Sequence, residues 1–302
     1  MKREILPKKS VFKSGFVTII GRPNAGKSTL MNALLGEKIA ITSDKPQTTR
    51  NKVTGILNEP GVQVVFLDTP GIHRPKGLLN EYMVKAAKEA CKEVDLIIFM
   101  VEANSKPGPM EEEIVELLKG LKTKTFLVIN KIDLVEKPNI LPVIEKYASM
   151  YGFDEVIPVS SLKGENLDDL KATIIKSMPA GPQYFPEDEL SDQPERFIVA
   201  EIIREKIFRM TKDEVPYSTA VLVEDMKDKG DIIYTRADIY VEKDSHKGII
   251  IGAKGQMLKS IGQAARKDIE ALLGTKVFLE LFVKVKKDWR EKPGVLKEMG
   301  YN

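Results

Sequence analysis

Gly21-Arg22-Pro23-Asn24-Ala25-Gly26-Lys27-Ser28 satisfies G-x-x-x-x-G-K-[ST], and the reading of its flanks decides the fold. Ahead of it runs Phe16-Val17-Thr18-Ile19-Ile20, an apolar, β-branched segment with the length of a buried strand. Behind it, Ser28 to Leu35 carries apolar residues at helical spacing, with Gly36 as a stop signal. Strand, glycine loop and helix form the context in which backbone N–H groups and a helix N-terminus cradle phosphate. The cradle is then Gly21, Arg22, Pro23, Asn24, Ala25, Gly26, Lys27, Ser28 and Thr29. Lys27 would reach the outer phosphates, and the Ser28 hydroxyl would hold Mg²⁺.

Outward from the loop, residues 37–50 are polar and aperiodic, and include Pro46-Gln47-Thr48-Thr49-Arg50. Residues 53–57 and 62–67 read as an antiparallel hairpin across the turn signal Asn58-Glu59-Pro60-Gly61. The second strand ends at Asp68-Thr69-Pro70-Gly71, where Asp68 is placed to act on Mg²⁺. Apolar strands at 95–101, 125–129 and 156–159 then alternate with helices at 78–93, 111–119, 140–150 and 165–176. That alternation predicts an α/β P-loop domain, a mostly parallel sheet with helices on both faces. Ligand groups belong at the carboxyl ends of its strands, where these motifs fall.

Asn130-Lys131-Ile132-Asp133 selects the base. A carboxylate only accepts hydrogen bonds, so Asp133 can pair with the N1–H and 2-amino donors of guanine; adenine offers no such pair on that edge. The stem of Lys131 can lie over the base, and Asn130 can brace neighbouring loops. With the phosphate loop, Asp68-Thr69-Pro70-Gly71 and Ser160-Ser161-Leu162 in this order, the sequence reads as a GTPase.

Composition bounds the rest. The 302 residues suggest two domains; 42% are hydrophobic and 30% charged, as in a globular protein. No apolar run reaches membrane-helix length, and Met1 to Pro7 has no apolar core behind its charges, so no signal peptide is expected. The single cysteine, Cys91, lies on an apolar helix face and fits a reducing, cytosolic compartment. From Arg196 onward 21 basic residues face 17 acidic ones, so that third carries +4 against −1 for the remainder, and the excess hints at a polyanionic partner there.

That third has its own signature. Pro179-Ala180-Gly181-Pro182 ends the first domain (1–180), an acidic, Pro-containing stretch (181–195) suits a linker, and 196–302 form the second domain. A helix over about 195–210, strands at 219–224 and 232–241, and two helices flanking Gly252-Ala253-Lys254-Gly255 are followed by a strand at 277–283. This is the order of a type II KH domain, an α+β fold whose G-x-x-G loop clamps about four nucleotides of single-stranded RNA. Gly252, Ala253, Lys254 and Gly255 are its candidate contacts.

Together these motifs resemble the translation-factor-related GTPases. Gly-Arg-Pro-Asn-Ala-Gly-Lys-Ser with Pro-Gln-Thr-Thr-Arg, followed by the KH pattern, is similar to the bacterial Era family over essentially the whole chain. The family carries Ser-Ala-Leu where this chain has Ser160-Ser161-Leu162; a backbone N–H there would reach the guanine oxygen. The resemblance implies that Thr49, with Thr48 as the alternative, binds Mg²⁺ when the γ-phosphate is present. It also implies that the Gly71 N–H meets that phosphate, so Lys27, Thr49, Asp68 and Gly71 form the catalytic set. Asn24 matches a position that in related GTPases helps hold K⁺. Lys284, Lys286, Lys287, Trp289 and Arg290 read by themselves as a solvated basic tail; the resemblance instead implies a helix that helps hold RNA. The implied function is GTP- and Mg²⁺-dependent binding of the 3′ end of 16S ribosomal RNA during small-subunit assembly, by a cytoplasmic, monomeric protein. The family is also reported at the inner face of the membrane.

Ile72 stands where Ras-like enzymes place a water-orienting glutamine, so hydrolysis is expected to be slow or helped by a partner or cation. His73 reads as a base or, preferably, as an incidental exposed side chain. Two other classes compete. A metabolic P-loop kinase is disfavoured by the guanine motif, and a membrane-remodelling GTPase by the lack of an amphipathic basic helix or lipidation signal.

Overall fold

The computed structural model describes residues 11–43, 45–73, 75 and 77–301; the reading of the first seven residues lies outside them. The N-terminal unit runs β1 (Lys13–Gly21), α1 (Lys27–Leu35), β2 (Val53–Glu59), β3 (Val62–Asp68), α2 (Leu78–Ala90), β4 (Leu96–Glu102) and α3 (Pro109–Lys119). It continues through β5 (Lys124–Asn130), α4 (Ile140–Ala148), β6 (Glu155–Pro158) and α5 (Leu167–Ser177). The six strands order β2-β3-β1-β4-β5-β6; the β2/β3 hairpin is antiparallel and the other pairings are parallel. The strands are continuous apolar runs because both faces are covered. Val17 and Ile19 join one core with Leu30 and Phe66, while Ile20 joins the opposite core with Phe99 and Tyr147.

The C-terminal unit runs α6 (Glu195–Met210), β7 (Ala220–Asp228), β8 (Ile232–Val241), α7 (Asp244–Ile251), α8 (Gln256–Leu273), β9 (Lys276–Val285) and α9 (Pro293–Glu298). Its sheet is mixed, with β7/β8 antiparallel and β8/β9 parallel. Ile203, Ile207, Ile261 and Ile269 of α6 and α8 bury its inner face. Both units therefore have the expected fold class: an α/β P-loop domain followed by an α+β KH domain.

One local expectation changes, and two stretches are more ordered or more buried than their sequence pattern conveys. The 181–195 stretch, read as a linker, is ordered against the first unit: Ile56 N–H donates to Leu190 O at 2.9 Å, Ser191 Oγ to Thr54 O at 2.6 Å, and Tyr184 N–H to Gln63 Oε1 at 2.8 Å. It covers the open edge of β2, and its order comes from that edge rather than from a period of its own. Helix α6 is buried nearly all round, including Arg204, Glu205 and Lys206, because it lies between the two units. The basic C-terminal stretch is folded, not a tail. Lys284 sits within β9, and the chain then turns back so that Trp289, Leu296, Met299 and Tyr301 pack on Leu79 and Met83 of α2.

Candidate functional site: a nucleotide cavity and a remote G-x-x-G loop

The motif loops at the carboxyl ends of the sheet border one cavity of about 810 Å³. Its phosphate loop needs glycine where backbone crowds. A Cβ on Gly21 would stand 2.3 Å from Met100 O, and one on Gly26, at φ 101°, 2.3 Å from Asn130 Nδ2. Gly71 comes so close to the loop that a Cβ would lie 2.5 Å from Pro23 N. Asn24 adopts φ 66°. Lys27 lies over the loop, its Nζ donating to Arg22 O at 3.0 Å. Arg22 contributes only backbone, because its guanidinium is ion-paired with buried Glu111, whose carboxylate also accepts from Gly108 N–H at 2.9 Å. Thr29 lines the wall beside Ser28.

Three oxygen-bearing side chains meet at one end of the cavity. Ser28 Oγ donates to Asp68 Oδ2 at 2.6 Å, Thr49 Oγ1 to the same oxygen at 3.1 Å, and the two hydroxyls are 2.9 Å apart. Asp68 Oδ1 is buried with no hydrogen-bond partner. Hard oxygen donors gathered around an orphaned carboxylate oxygen fit Mg²⁺ held jointly with phosphate. Thr49 rather than Thr48 faces this cluster; the Thr48 hydroxyl donates to Lys45 O at 2.8 Å. Burial pulls the Lys27 ammonium down to about 8 against the pull of Asp68, and burial raises the Asp68 carboxyl.

At the other end, Asn130 is 3% exposed. It donates to Ala25 O at 2.8 Å and accepts from Ser161 N–H at 3.0 Å and Ser161 Oγ at 2.9 Å. The Ser161 backbone N–H, a candidate for the guanine oxygen, is thus turned onto Asn130, and the extra hydroxyl strengthens that brace. Ser160 Oγ donates to Asp133 Oδ1 at 2.6 Å, orienting the carboxylate at the cavity wall beside exposed Leu162. Lys131, at φ 63°, stretches along the same wall to Glu102, 2.9 Å away.

Ile72 is fully buried in the core, and its N–H donates to Gly21 O at 3.1 Å. His73 is not an incidental exposed residue. It is half-buried, with Nδ1 2.7 Å from Gly71 O and Nε2 3.4 Å from Gln47 Nε2, and so bridges the 37–50 and 68–77 segments. Gln47, Thr42, Ser43, Glu102 and Arg209 also line the cavity and escaped the sequence reading. Arg209 comes from α6 and donates to Thr42 O at 3.1 Å; nothing in its spacing marks it.

The G-x-x-G loop stands apart on the C-terminal unit. Gly252 (φ 70°), Lys254 (φ 49°) and Gly255 (φ 77°) make a tight left-handed turn, and a Cβ on Gly252 would press within 2.7 Å of Met257. Ala253 and Lys254 are exposed, and beyond its chain neighbours nothing lies within 4 Å of a Cβ built on Gly255, so the backbone is open to an approaching chain. The proposed basic helper contacts fare differently. Trp289 is fully buried and donates Nε1–H to Ser218 O at 2.8 Å, so it is a core residue and no RNA contact. Lys284, Lys286 and Arg290 are ion-paired with Asp238, Glu298 and Glu242. Lys287 is exposed.

Comparison with known proteins places this arrangement. The family model for a 50S ribosome-binding GTPase matches residues 16–131, and that for the KH domain matches 214–290. The GTPase Era of Geobacter metallireducens is 60% identical over 292 residues, covering 96% of this chain and 98% of that protein. The GTPase Era of Geotalea uraniireducens is 59% identical over 291 residues, with the same coverage. A solved structure of Era in complex with MgGDPNP and nucleotides 1506–1542 of 16S ribosomal RNA matches with TM-score 0.93 and 44% identity, over 96% of this chain and 99% of that one. A variant of Aquifex aeolicus Era bound to GDP·AlF4⁻ matches equally well.

Proposed function

This chain belongs to the Era family of GTPases, and from that premise we propose that it couples GTP hydrolysis to binding of the 3′ region of 16S ribosomal RNA during small-subunit assembly and rRNA processing. The observation that carries the enzymatic half is one cavity with the Ser28–Thr49–Asp68 oxygen cluster and Lys27 at one end and the Asn130–Asp133 segment at the other. Asp133 and Lys131 hold guanine. The backbone from Gly21 to Thr29 cradles the phosphates, and Lys27 with the Gly71 N–H neutralises charge that grows as the γ-phosphate leaves. Ser28, Thr49 and Asp68 hold Mg²⁺, which supplies electrostatic stabilisation of the transferring phosphoryl group. Ile72, buried in the core, has no group that could orient a water, so turnover is slow unless a cation near Asn24 or a partner assists.

The RNA half rests on the open Gly252–Gly255 turn, which presents bare backbone and the Lys254 charge to a sugar–phosphate chain. The division we propose is 1–180 for the GTPase unit, 181–195 for the connection and 196–302 for the RNA-binding unit, in a cytoplasmic monomer. Contact with the inner face of the membrane would be peripheral, since no described helix is long and apolar enough to cross one. The test is twofold. The chain should hydrolyse GTP but not ATP in Mg²⁺, and with a GTP analogue it should retain a 3′-terminal 16S RNA fragment over a scrambled one. Flotation with anionic liposomes but no RNA selectivity would overturn the reading.

A further inference from the structure

Arg50 closes the Pro46–Arg50 stretch, and neither nucleotide nor RNA binding gives it a task. Yet it is only 1% exposed. Its guanidinium leaves the GTPase unit and enters a cage of main-chain carbonyls in the C-terminal unit. Nη1 donates to Thr219 O at 2.7 Å, and Nη2 to Tyr217 O at 2.9 Å and Pro216 O at 3.2 Å. The cation lies 5.6 Å from the Phe208 ring centre and 5.8 Å from that of Trp289. The cage is held from behind: Trp289 Nε1–H donates to Ser218 O at 2.8 Å, and Thr219 Oγ1 to Val215 O at 2.7 Å. From the other side Arg204 of α6 donates to Thr48 O. Thr49 is therefore flanked by two holds on the C-terminal unit, one through the Thr48 carbonyl and one through the Arg50 side chain, while Thr49 Oγ1 turns to Ser28 and Asp68.

A planar fork with five donors suits three carbonyls and two ring faces at once; an ammonium does not. The carbonyls and the Tyr301 hydroxyl, 3.4 Å from Nη1, are neutral and Nε has no hydrogen-bond partner, so this buried cation is tolerated only while the cage keeps its shape. We propose that Arg50 is a positioning residue of the GTPase site, holding Thr49 against Ser28 and Asp68 by anchoring in the Pro216–Thr219 cage. The metal and γ-phosphate end of the site is then complete only while the C-terminal unit is docked. This rests on the reading of Thr49 as a Mg²⁺ ligand. By linkage, anything that displaces the cage loosens the metal end, and metal with GTP favours the docked cage.

The test uses the full chain with Arg50→Lys, Thr49→Ala and the double variant, and a non-hydrolysable GTP analogue as probe. Arg50→Lys should raise the Mg²⁺ concentration for half-maximal analogue binding at least fivefold and speed hydrogen exchange at amides 48–50 at least tenfold. It should lower kcat at least tenfold while leaving GDP affinity within twofold; a merely structural role would weaken GDP binding as well. The double variant should show no larger Mg²⁺ shift than Thr49→Ala alone. Should Arg50→Lys not fold, Trp289→Phe keeps the ring but removes the bond to Ser218 O, and should give the same pattern in weaker form. Parental Mg²⁺ dependence and exchange in both the Arg50 and Trp289 variants, beside a shifted Thr49→Ala, would overturn the proposal. An unshifted Thr49→Ala would instead remove the metal-ligand reading of Thr49, and amide exchange at 48–50 would then decide the anchoring alone.

Discussion

Asn130 donates its Nδ2–H to Ala25 O across 2.8 Å, so the base-reading segment and the phosphate loop are tied by one buried side chain. The same carboxamide accepts from both the N–H and the hydroxyl of Ser161. Asn130→Ala leaves a buried carbonyl and a buried N–H without partners, at about 1–3 kcal/mol each. GDP affinity should fall by roughly 30-fold or more, about 2 kcal/mol, with a lower melting temperature. Affinity within threefold of the parent would show that the three loops hold their places unaided.

Asp133→Asn tests base choice. Its carboxylate is oriented by Ser160 Oγ at 2.6 Å, and an amide keeps that shape. An amide, however, can donate to the 2-oxo group of xanthine, where the carboxylate could only repel it. GTP affinity should drop and xanthosine triphosphate should bind. Unchanged preference for GTP would mean that Asp133 is not the reader.

The parts that were legible in the sequence share a property: their chemistry is local. Gly21 to Ser28 is recognisable because a tight loop before a helix needs its glycines in place, and Asn130 to Asp133 because one short segment carries both brace and reader. Trp289 misled because a tryptophan amid lysines looks alike whether it faces RNA or a core. Its burial depends on Leu79 and Ser218, far away in the chain, as well as on nearby Tyr301. Arg50 carried no signal of its burial, because its partners are carbonyls that any residue possesses. The order of the 181–195 linker was not legible, because order lent by the edge of a neighbouring strand leaves no period behind.

Lys27 makes nucleotide binding proton-linked. Burial lowers its pKa to about 8, whereas bound phosphate would hold it protonated. The charged form is present without ligand below pH 8, so binding should take up little proton at pH 7 and close to one above pH 8. Affinity for GDP in the absence of Mg²⁺ should weaken by up to about tenfold per pH unit above 8. The free protein behaves in the opposite sense. The folded pKa lies below the unfolded value of 10.5, so this group adds stability as pH rises from 8 toward 10.5. Calorimetry in two buffers of different ionisation enthalpy reads the proton count; equal uptake at pH 7 and pH 8.5 would remove the linkage.

With Ile72 fully buried and its alkyl side chain unable to orient a water, charge stabilisation must come from another group. Asn24 holds a left-handed bend in the phosphate loop at φ 66°, beside the path of the phosphates. If K⁺ binds there, hydrolysis should be faster in KCl than in NaCl at equal ionic strength, and Asn24→Ala should abolish the difference. Equal rates in both salts would leave a partner as the missing source.

The exposed turn at Gly252–Gly255 tests whether the two units have separate tasks. Carboxylates introduced by Ala253→Asp with Lys254→Asp would stand where phosphates must approach, and both positions are exposed, so folding should be spared. Affinity for single-stranded ribosomal RNA should collapse. In the parent, log affinity should fall with log salt at about −0.7 per phosphate neutralised. Lys254→Ala should lower that slope by somewhat under about one unit without altering sequence preference. GDP affinity should not change, because the turn shares no residue with the nucleotide cavity. The Lys284–Arg290 segment cannot easily replace it, since Lys284, Lys286 and Arg290 are committed to Asp238, Glu298 and Glu242, and Trp289 is inside. RNA affinity that survives the double substitution would therefore move the site to the outer face of β8 and β9. There Phe278 and Phe282 are 51% and 44% exposed, and Arg236 lies over the Phe282 ring, an arrangement on which bases can stack.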